Sequence, residues 1–395
     1  MWFANFLVAA SATMVLPFLS LYIETFGDYS QPYVQKWSGF VFGITFLTAF
    51  FISPFWGRFG DKHGYKKILI ITGFGISFSI FWMGFVTSVE QLFLLRLLMG
   101  VVTGFIPTSL AFISSQTPKS IAGKILGTLQ TGTVSGGLFG PLIGGILADN
   151  VGFHYTFFIT SFLIAGATII VIFGVKEIRN PNLLEKERSF TRKEVLQHIL
   201  HQPILLTIMI ISLLVQEANF SIQPLLALYV GQMVDGTNLA FLAGIAFSVT
   251  GLGNLLATRK WGKLGDKIGH QKVLFLLLIL AAIFFIPQAF ATTIWQLIIF
   301  RFMFGIAVGG LIPCMAAYIR QVAPASIQGE VLGYNVSFRF LGNVIGPVMG
   351  GLISGMFGIS SVFFVTSGLL LISAGILWAS IHRNPSTLKS ELLKN

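Results

Sequence analysis

Gly57-Arg58-Phe59-Gly60-Asp61-Lys62-His63-Gly64-Tyr65-Lys66-Lys67 returns 205 positions later as Gly262-Lys263-Leu264-Gly265-Asp266-Lys267-Ile268-Gly269-His270-Gln271-Lys272. A tryptophan precedes each copy, Trp56 and Trp261. The offset is about half of the 395 residues, so the chain reads as one unit used twice. The correspondence runs beyond the loop. Arg96 pairs with Arg301 at the same offset; Pro107 with Pro313, Pro118 with Pro324 and Gly152 with Gly358 at one residue more; Pro17-x3-Leu21-Tyr22 returns as Pro224-x3-Leu228-Tyr229.

Composition assigns the class. With 54% hydrophobic residues, 10% charged, 40 Phe and 43 Gly, the chain lacks the polar surface that a water-facing protein of this size presents. In hydrocarbon every backbone group must be satisfied internally, and long apolar stretches containing Gly and Pro then mean bundled helices, not barrel strands. The expected fold is an all-α membrane protein of twelve spans, each near the roughly 20 residues a crossing needs. They fall at 3–25, 37–56, 68–88, 91–115, 124–148, 155–175, 204–230, 239–259, 273–292, 294–318, 330–356 and 360–382. Two same-sense sets of six imply a pseudo-two-fold axis along the membrane normal and a cavity between halves.

The charge gives the orientation. Apart from Arg96, Arg301 and Arg339 inside the spans and Lys36 beyond them, all 25 basic residues lie on the side of the repeated loops. By the positive-inside rule those loops and both termini are cytoplasmic, in a multi-pass protein of the cell membrane. The net charge of +11 would point to nucleic acid in a soluble protein; here it sets topology and attracts anionic lipid, and nucleic acid is not a partner. The longest polar break, 176–203, is read as a cytoplasmic linker between six-helix bundles at 1–175 and 204–382, with a tail at 383–395. Phe190 to Leu200 has the pattern of an amphipathic helix on the membrane face. Cys314 is the single cysteine, which leaves no disulfide within the chain. No cleavable leader is recognisable, since Met1-Trp2-Phe3 enters the first apolar run without basic residues; either the natural start lies upstream or later loops set orientation.

The most specific pattern lies in the fifth and eleventh spans. Gly127-x8-Gly136-x3-Gly140-Pro141-x2-Gly144-Gly145 is matched throughout by Gly333-x8-Gly342-x3-Gly346-Pro347-x2-Gly350-Gly351. Small residues four apart let helices approach closely, and a mid-span proline frees a carbonyl, so these helices can pack, pivot and seal. On these motifs the chain resembles the major facilitator superfamily, and within it the twelve-helix drug:proton antiporters, over essentially its whole length. The loops from Gly57 and Gly262 resemble the family's cytoplasmic signature, Leu95-Arg96-x3-Gly100 its fourth-helix arginine motif, and Gly127 to Gly145 its fifth-helix antiporter motif. The resemblance implies alternating access driven by proton entry, export instead of uptake, and a coupling role for Arg96.

Each deep or conspicuous ionisable residue needs an account. The loop acid Asp61, beside Gly57, Gly64, Lys66 and Lys67, is expected to latch the halves when the cytoplasmic side is closed, with Asp266 a weaker counterpart; the alternative is a pair of basic turns that only fix topology. Inside the spans stand Arg96, Glu217, Arg301 and Arg339. Glu217 is the deep carboxylate, roughly 20 Å along the seventh helix. Burial and a neighbouring cation act on a carboxyl in opposite senses, so such a residue can bind and release a proton as water access alternates. It is the candidate site for the proton or a cationic substrate; a structural ion pair with Arg339 is the rival reading. Asp149 is a reserve candidate. Arg96 and Arg301 otherwise snorkel or meet carbonyls.

Gln130, Gln216, Asn219, Phe220, Gln223 and Asn335 are candidate cavity-lining positions, with Phe40, Phe42, Phe46, Phe50, Phe51, Phe105 and Phe112 as soft apolar walls. The expected function is export of small lipophilic drugs in exchange for protons, by a monomer in the bilayer; export of an anionic metabolite such as a siderophore or carboxylate is the alternative. A lipid-handling or sensory membrane protein is the rival class. No chemical transformation, cofactor or metal is expected: there is no Gly-x4-Gly-Lys-Ser/Thr loop, and the six His are scattered.

Overall fold

The structure, a computed structural model, describes residues 1–118, 121–177, 192–234, 236, 238–324 and 327–383, with backbone alone at 61, 122, 192–194 and 383. Among these there are twelve helices long and apolar enough to cross a membrane, and no β-strand. They are α1 (Trp2–Glu24), α2 (Gln31–His63), α3 (Tyr65–Met83), α4 (Val89–Gln116), α5 (Ala122–Val151), α6 (Phe153–Gly174), α7 (Pro203–Gly231), α8 (Leu239–Ile268), α9 (His270–Phe290), α10 (Ile294–Val322), α11 (Gln328–Phe357) and α12 (Ile359–Arg383). A further short helix, Arg192–His201, precedes α7 and overlaps the stretch expected to be amphipathic. The rest of the linker from 178 lies outside the described residues.

The expected spans are all present, but α2 and α8 outrun theirs. The repeated stretch is helical through His63 and Ile268, and each connection narrows to one glycine with positive φ, Gly64 (+97°) and Gly269 (+96°). Only a residue without Cβ takes that conformation at little cost. Helix continues past the apolar region because its polar side chains are satisfied by water while the backbone still satisfies itself. The prolines at 17 and 224 each open a single 3₁₀ turn, Leu16–Phe18 in α1 and Gln223–Leu225 in α7.

The repeat is visible in packing. Within one half α1 packs on α5, α2 on α4 and α3 on α6; within the other α7 packs on α11, α8 on α10 and α9 on α12. Matched contacts recur in detail. Trp56 Nε1 donates to the Val101 carbonyl and Trp261 Nε1 to that of Ile306, both at 2.8 Å. The Tyr22 hydroxyl donates to Met83 O (2.9 Å), that of Tyr229 to Gln288 O (2.6 Å). Phe157 packs its ring on Tyr22 in one core, and Phe363 packs on Tyr229 in the other, each at 5.0 Å between centroids.

Two seams join the halves, α2 with α11 and α5 with α8. Both are tight at the end opposite the chain termini. There Gly39 faces Pro347 and Gly351, Gly43 faces Val348, Gly145 faces Ala240 and Gly244 faces Pro141, with no room for a Cβ. Towards the termini the same four helices separate: a Cβ at Gly57, Gly127, Gly262 or Gly333 would meet nothing within 4 Å. The molecule is therefore two six-helix bundles closed at one end and parted at the other.

Candidate functional site

Glu217 sits at the middle of α7, about two turns before the Pro224 break, and only 6% of it is exposed. The glycine series of α11 draws α7 in at this level. A Cβ on Gly342 would lie 2.9 Å from both Gln216 Cβ and Glu217 N, and one on Gly346 2.5 Å from Glu217 O. Among the described residues no hydrogen bond or ion pair holds the Glu217 carboxylate, and the rival pairing with Arg339 is not formed.

Polar side chains also stand on α11, the helix packed against α7. Asn335, Arg339 and Asn343 stand four apart along α11, which places them on one face. Asn335 Oδ1, Arg339 Nε and Asn343 Oδ1 are buried without a hydrogen-bond partner. Gln216, next to the acid, is 7% exposed. Further along α7, Gln223 Nε2 donates to the Asn219 carbonyl at 3.4 Å, and Phe220 meets Phe46 of the other half edge-on at 5.2 Å. Gln130 is exposed on α5. Asn343 was not among the sequence candidates, although its spacing from Arg339 carried the signal.

The internal repeat makes this set one-sided. The residues at matching positions of α1 and α5 are Ala9, Ala10, Leu129, Thr133 and Gly137. Buried polar groups without partners are costly. Of these five polar positions only Arg339 has a polar counterpart, Thr133, whose Oγ1 is likewise buried without a partner; the other four correspond to Ala9, Ala10, Leu129 and Gly137 in the repeat.

Arg96 and Arg301 lie inside separate halves. Both are 4% exposed. Arg96 lies between α2 and α4 with its guanidinium 5.8 Å from the Phe42 ring centre, Nε and Nη2 partnerless, and its carbonyl accepting from Thr45 Oγ1 at 3.1 Å. Arg301, between α8 and α10, donates through Nε to the Ala246 carbonyl at 2.6 Å. Neither reaches Glu217 by a hydrogen bond.

At the termini end, Asp266 faces His270 at 3.4 Å within its own half and is otherwise exposed; the side chain of Asp61 lies outside the described residues. Lys67 is exposed. The structure adds a residue the sequence reading missed. Glu177, just past α6, accepts from the backbone N–H groups of Tyr65 (2.8 Å) and Lys66 (3.2 Å), capping α3, while Lys66 Nζ donates to the Ile172 carbonyl at 2.7 Å. At the opposite end Asp149 accepts from Ala240 N (3.1 Å) and Phe241 N (2.8 Å) at the start of α8.

The family profile of the Major Facilitator Superfamily matches residues 1–259 and 240–394. The chain is 63% identical over 378 residues to the uncharacterized MFS-type transporter YuxJ of Bacillus subtilis, covering 96% of each. It is 39% identical over 391 residues to the multidrug resistance protein MdtG of Citrobacter koseri, covering 99% of this chain and 96% of that one. In fold it is similar to a bacterial homologue of the human lysosomal transporter Spinster in an inward-facing conformation, with a TM-score of 0.82 at 14% identity over 96% and 95% of the two chains. The nucleoside transporter NupG superimposes with a TM-score of 0.78 at 15% identity, over 96% and 98%. The chain belongs to the major facilitator superfamily, as a membrane transporter and not an enzyme.

Proposed function

We propose that the protein exports small lipophilic compounds in exchange for protons, by alternating access between two six-helix bundles at 1–175 and 204–382. The observation that carries this reading is the buried, unpaired Glu217 at mid-span, in a molecule whose halves meet at one end only. A carboxyl in that position can take a proton from one side and release it to the other as the seams exchange places. Relatives named multidrug resistance proteins, at 39% identity, support export of drug-like compounds.

With the termini cytoplasmic by the positive-inside rule, the parted end faces inward and the protein works as a monomer in the cell membrane. Asp61 is the residue assigned to latch that end when it closes, so Asp61→Asn should abolish transport without affecting insertion. Arg96 and Arg301 brace the α2–α4 and α8–α10 seams as coupling residues, and Gly127, Gly136, Gly140, Pro141, Gly144 and Gly145 with their α11 copies form the pivot. A second reading, export of an anionic metabolite, is favoured by the partnerless Arg339 Nε between Asn335 and Asn343.

The test is efflux from proteoliposomes under an imposed pH gradient, with a cationic dye and a citrate-like anion as alternative cargo. Glu217→Gln should abolish gradient-driven efflux while cargo still binds; gradient-driven efflux at the parental rate rejects the assignment. Arg339→Ala separates the two cargo readings, since it should spare dye export and abolish anion export.

A further inference from the structure

At the end opposite the termini, the two seams are not built alike. In the α5–α8 seam the Asp149 carboxylate reaches across the halves and accepts from Ala240 N at 3.1 Å through Oδ1 and from Phe241 N at 2.8 Å through Oδ2. These N–H groups belong to the first turn of α8, where helix donors have no partner of their own. The residue that should cap them locally, Asn238, takes a left-handed conformation (φ 82°) and makes no side-chain cap. The N-cap of α8 is therefore supplied by the other half. One turn further in, Gly145 and Gly244 let the backbones touch, and Ser248 Oγ donates to the Leu138 carbonyl at 2.6 Å.

The α2–α11 seam lacks this device. Gly355 stands at the position that the repeat assigns to Asp149, with the stem of Lys36 against it: a Cβ there would lie 2.8 Å from Lys36 Cγ. Helix α2 starts at Gln31, ahead of the level that matches the start of α8, and Val34 N already donates to Ser30 O. No first-turn donor of α2 at that level awaits a partner. One seam is held by hydrogen bonds that include a charge; the other is held by contact of small residues.

We propose that Asp149 is a positioning residue of the gate opposite the termini: as a helix cap supplied in trans, it holds that gate shut and must be released each time α5 and α8 part. The contact exists only while the halves touch, so its free energy counts for the closed state and not for the open one. The inference rests on alternating access but not on Glu217 as the coupling acid.

The experiment uses full-length protein in liposomes, in a Cys314→Ser background, with spin labels at Val151→Cys and Gln232→Cys to report the distance between halves at that end. Losing a cap of this kind changes a two-state equilibrium by roughly fivefold. Asp149→Ala should raise the long-distance population by about that factor, and Asp149→Asn, which keeps one acceptor, by less. Unchanged populations in both variants overturn the proposal. A matching change for labels at Gln232→Cys and Met356→Cys, both in one half, would mean a loosened bundle instead of an opened gate, and overturns it as well.

Discussion

Gly346 of α11 lies directly on the backbone of Glu217 of α7: a methyl group on the glycine would come within 2.5 Å of the Glu217 carbonyl oxygen and 3.2 Å of its Cα. The glycine motif and the buried acid are thus one structure. The helix proposed to pivot is the helix against which the acid is set.

Adding that methyl group should be harmful. Neither backbone can yield as a flexible side chain would, and overpacking of this kind costs about 1–3 kcal/mol. Gly346→Ala should lower gradient-driven transport by at least about fivefold. Gly329→Ala on the same helix, outside the motif and where a Cβ meets nothing within 4 Å, should stay near the parental rate. Equal transport in the two variants would show that the α7–α11 approach is not needed.

Glu177 caps α3 with a charged group, so its loss should register as stability. Replacing a helix cap costs about 1 kcal/mol. For Glu177→Ala in detergent, a chain of this size should melt about 1–2 °C lower, with Glu177→Gln between it and the parent. A scanning fluorimetry trace identical to the parent would mean that water serves the N–H groups of Tyr65 and Lys66 equally well.

The twin tryptophans offer a test of the internal symmetry. Trp56→Phe and Trp261→Phe each delete one hydrogen bond of the same 2.8 Å length to the matching carbonyl. Each should cost about 1 kcal/mol, and because the sites are in separate halves the double variant should show the sum. Chemical denaturation curves of the three proteins decide it.

Cys314 is fully buried in α10. A thiol reagent needs access before it needs reactivity. Folded protein should therefore resist a membrane-impermeant maleimide over an hour, and protein unfolded in detergent should label to one equivalent, as read by intact mass. Fast labelling of folded protein would mean that α10 opens to water.

Much of the architecture was legible in the residues. Hydrocarbon leaves the backbone no partner but itself, so apolar runs of about 20 residues become helices wherever they occur; spacing alone then places Glu217 at mid-span and aligns Gly140 with Gly346. The offset of 205 to 207 also aligns Pro17 with Pro224 and Trp56 with Trp261, although that the prolines open matching 3₁₀ turns appears only in the structure. Asn343 is legible as well, since it stands four residues from Arg339 on the same helix face.

Tertiary structure alone decided which of these groups meet. Periodicity describes one helix and its faces; it carries no information on the rotation of that helix against another. Glu177 finds Tyr65 and Lys66 across more than a hundred residues, and Asp149 finds α8 across ninety, because helix ends with unpaired N–H groups happen to face those carboxylates after packing. For the same reason Glu217 and Arg339, both deep and opposite in charge, are left apart, since their orientations follow the glycine contacts of the backbone and not the attraction of their side chains. The end at which the two halves touch is likewise a property of four helices packed together, where small residues meet in both seams at once.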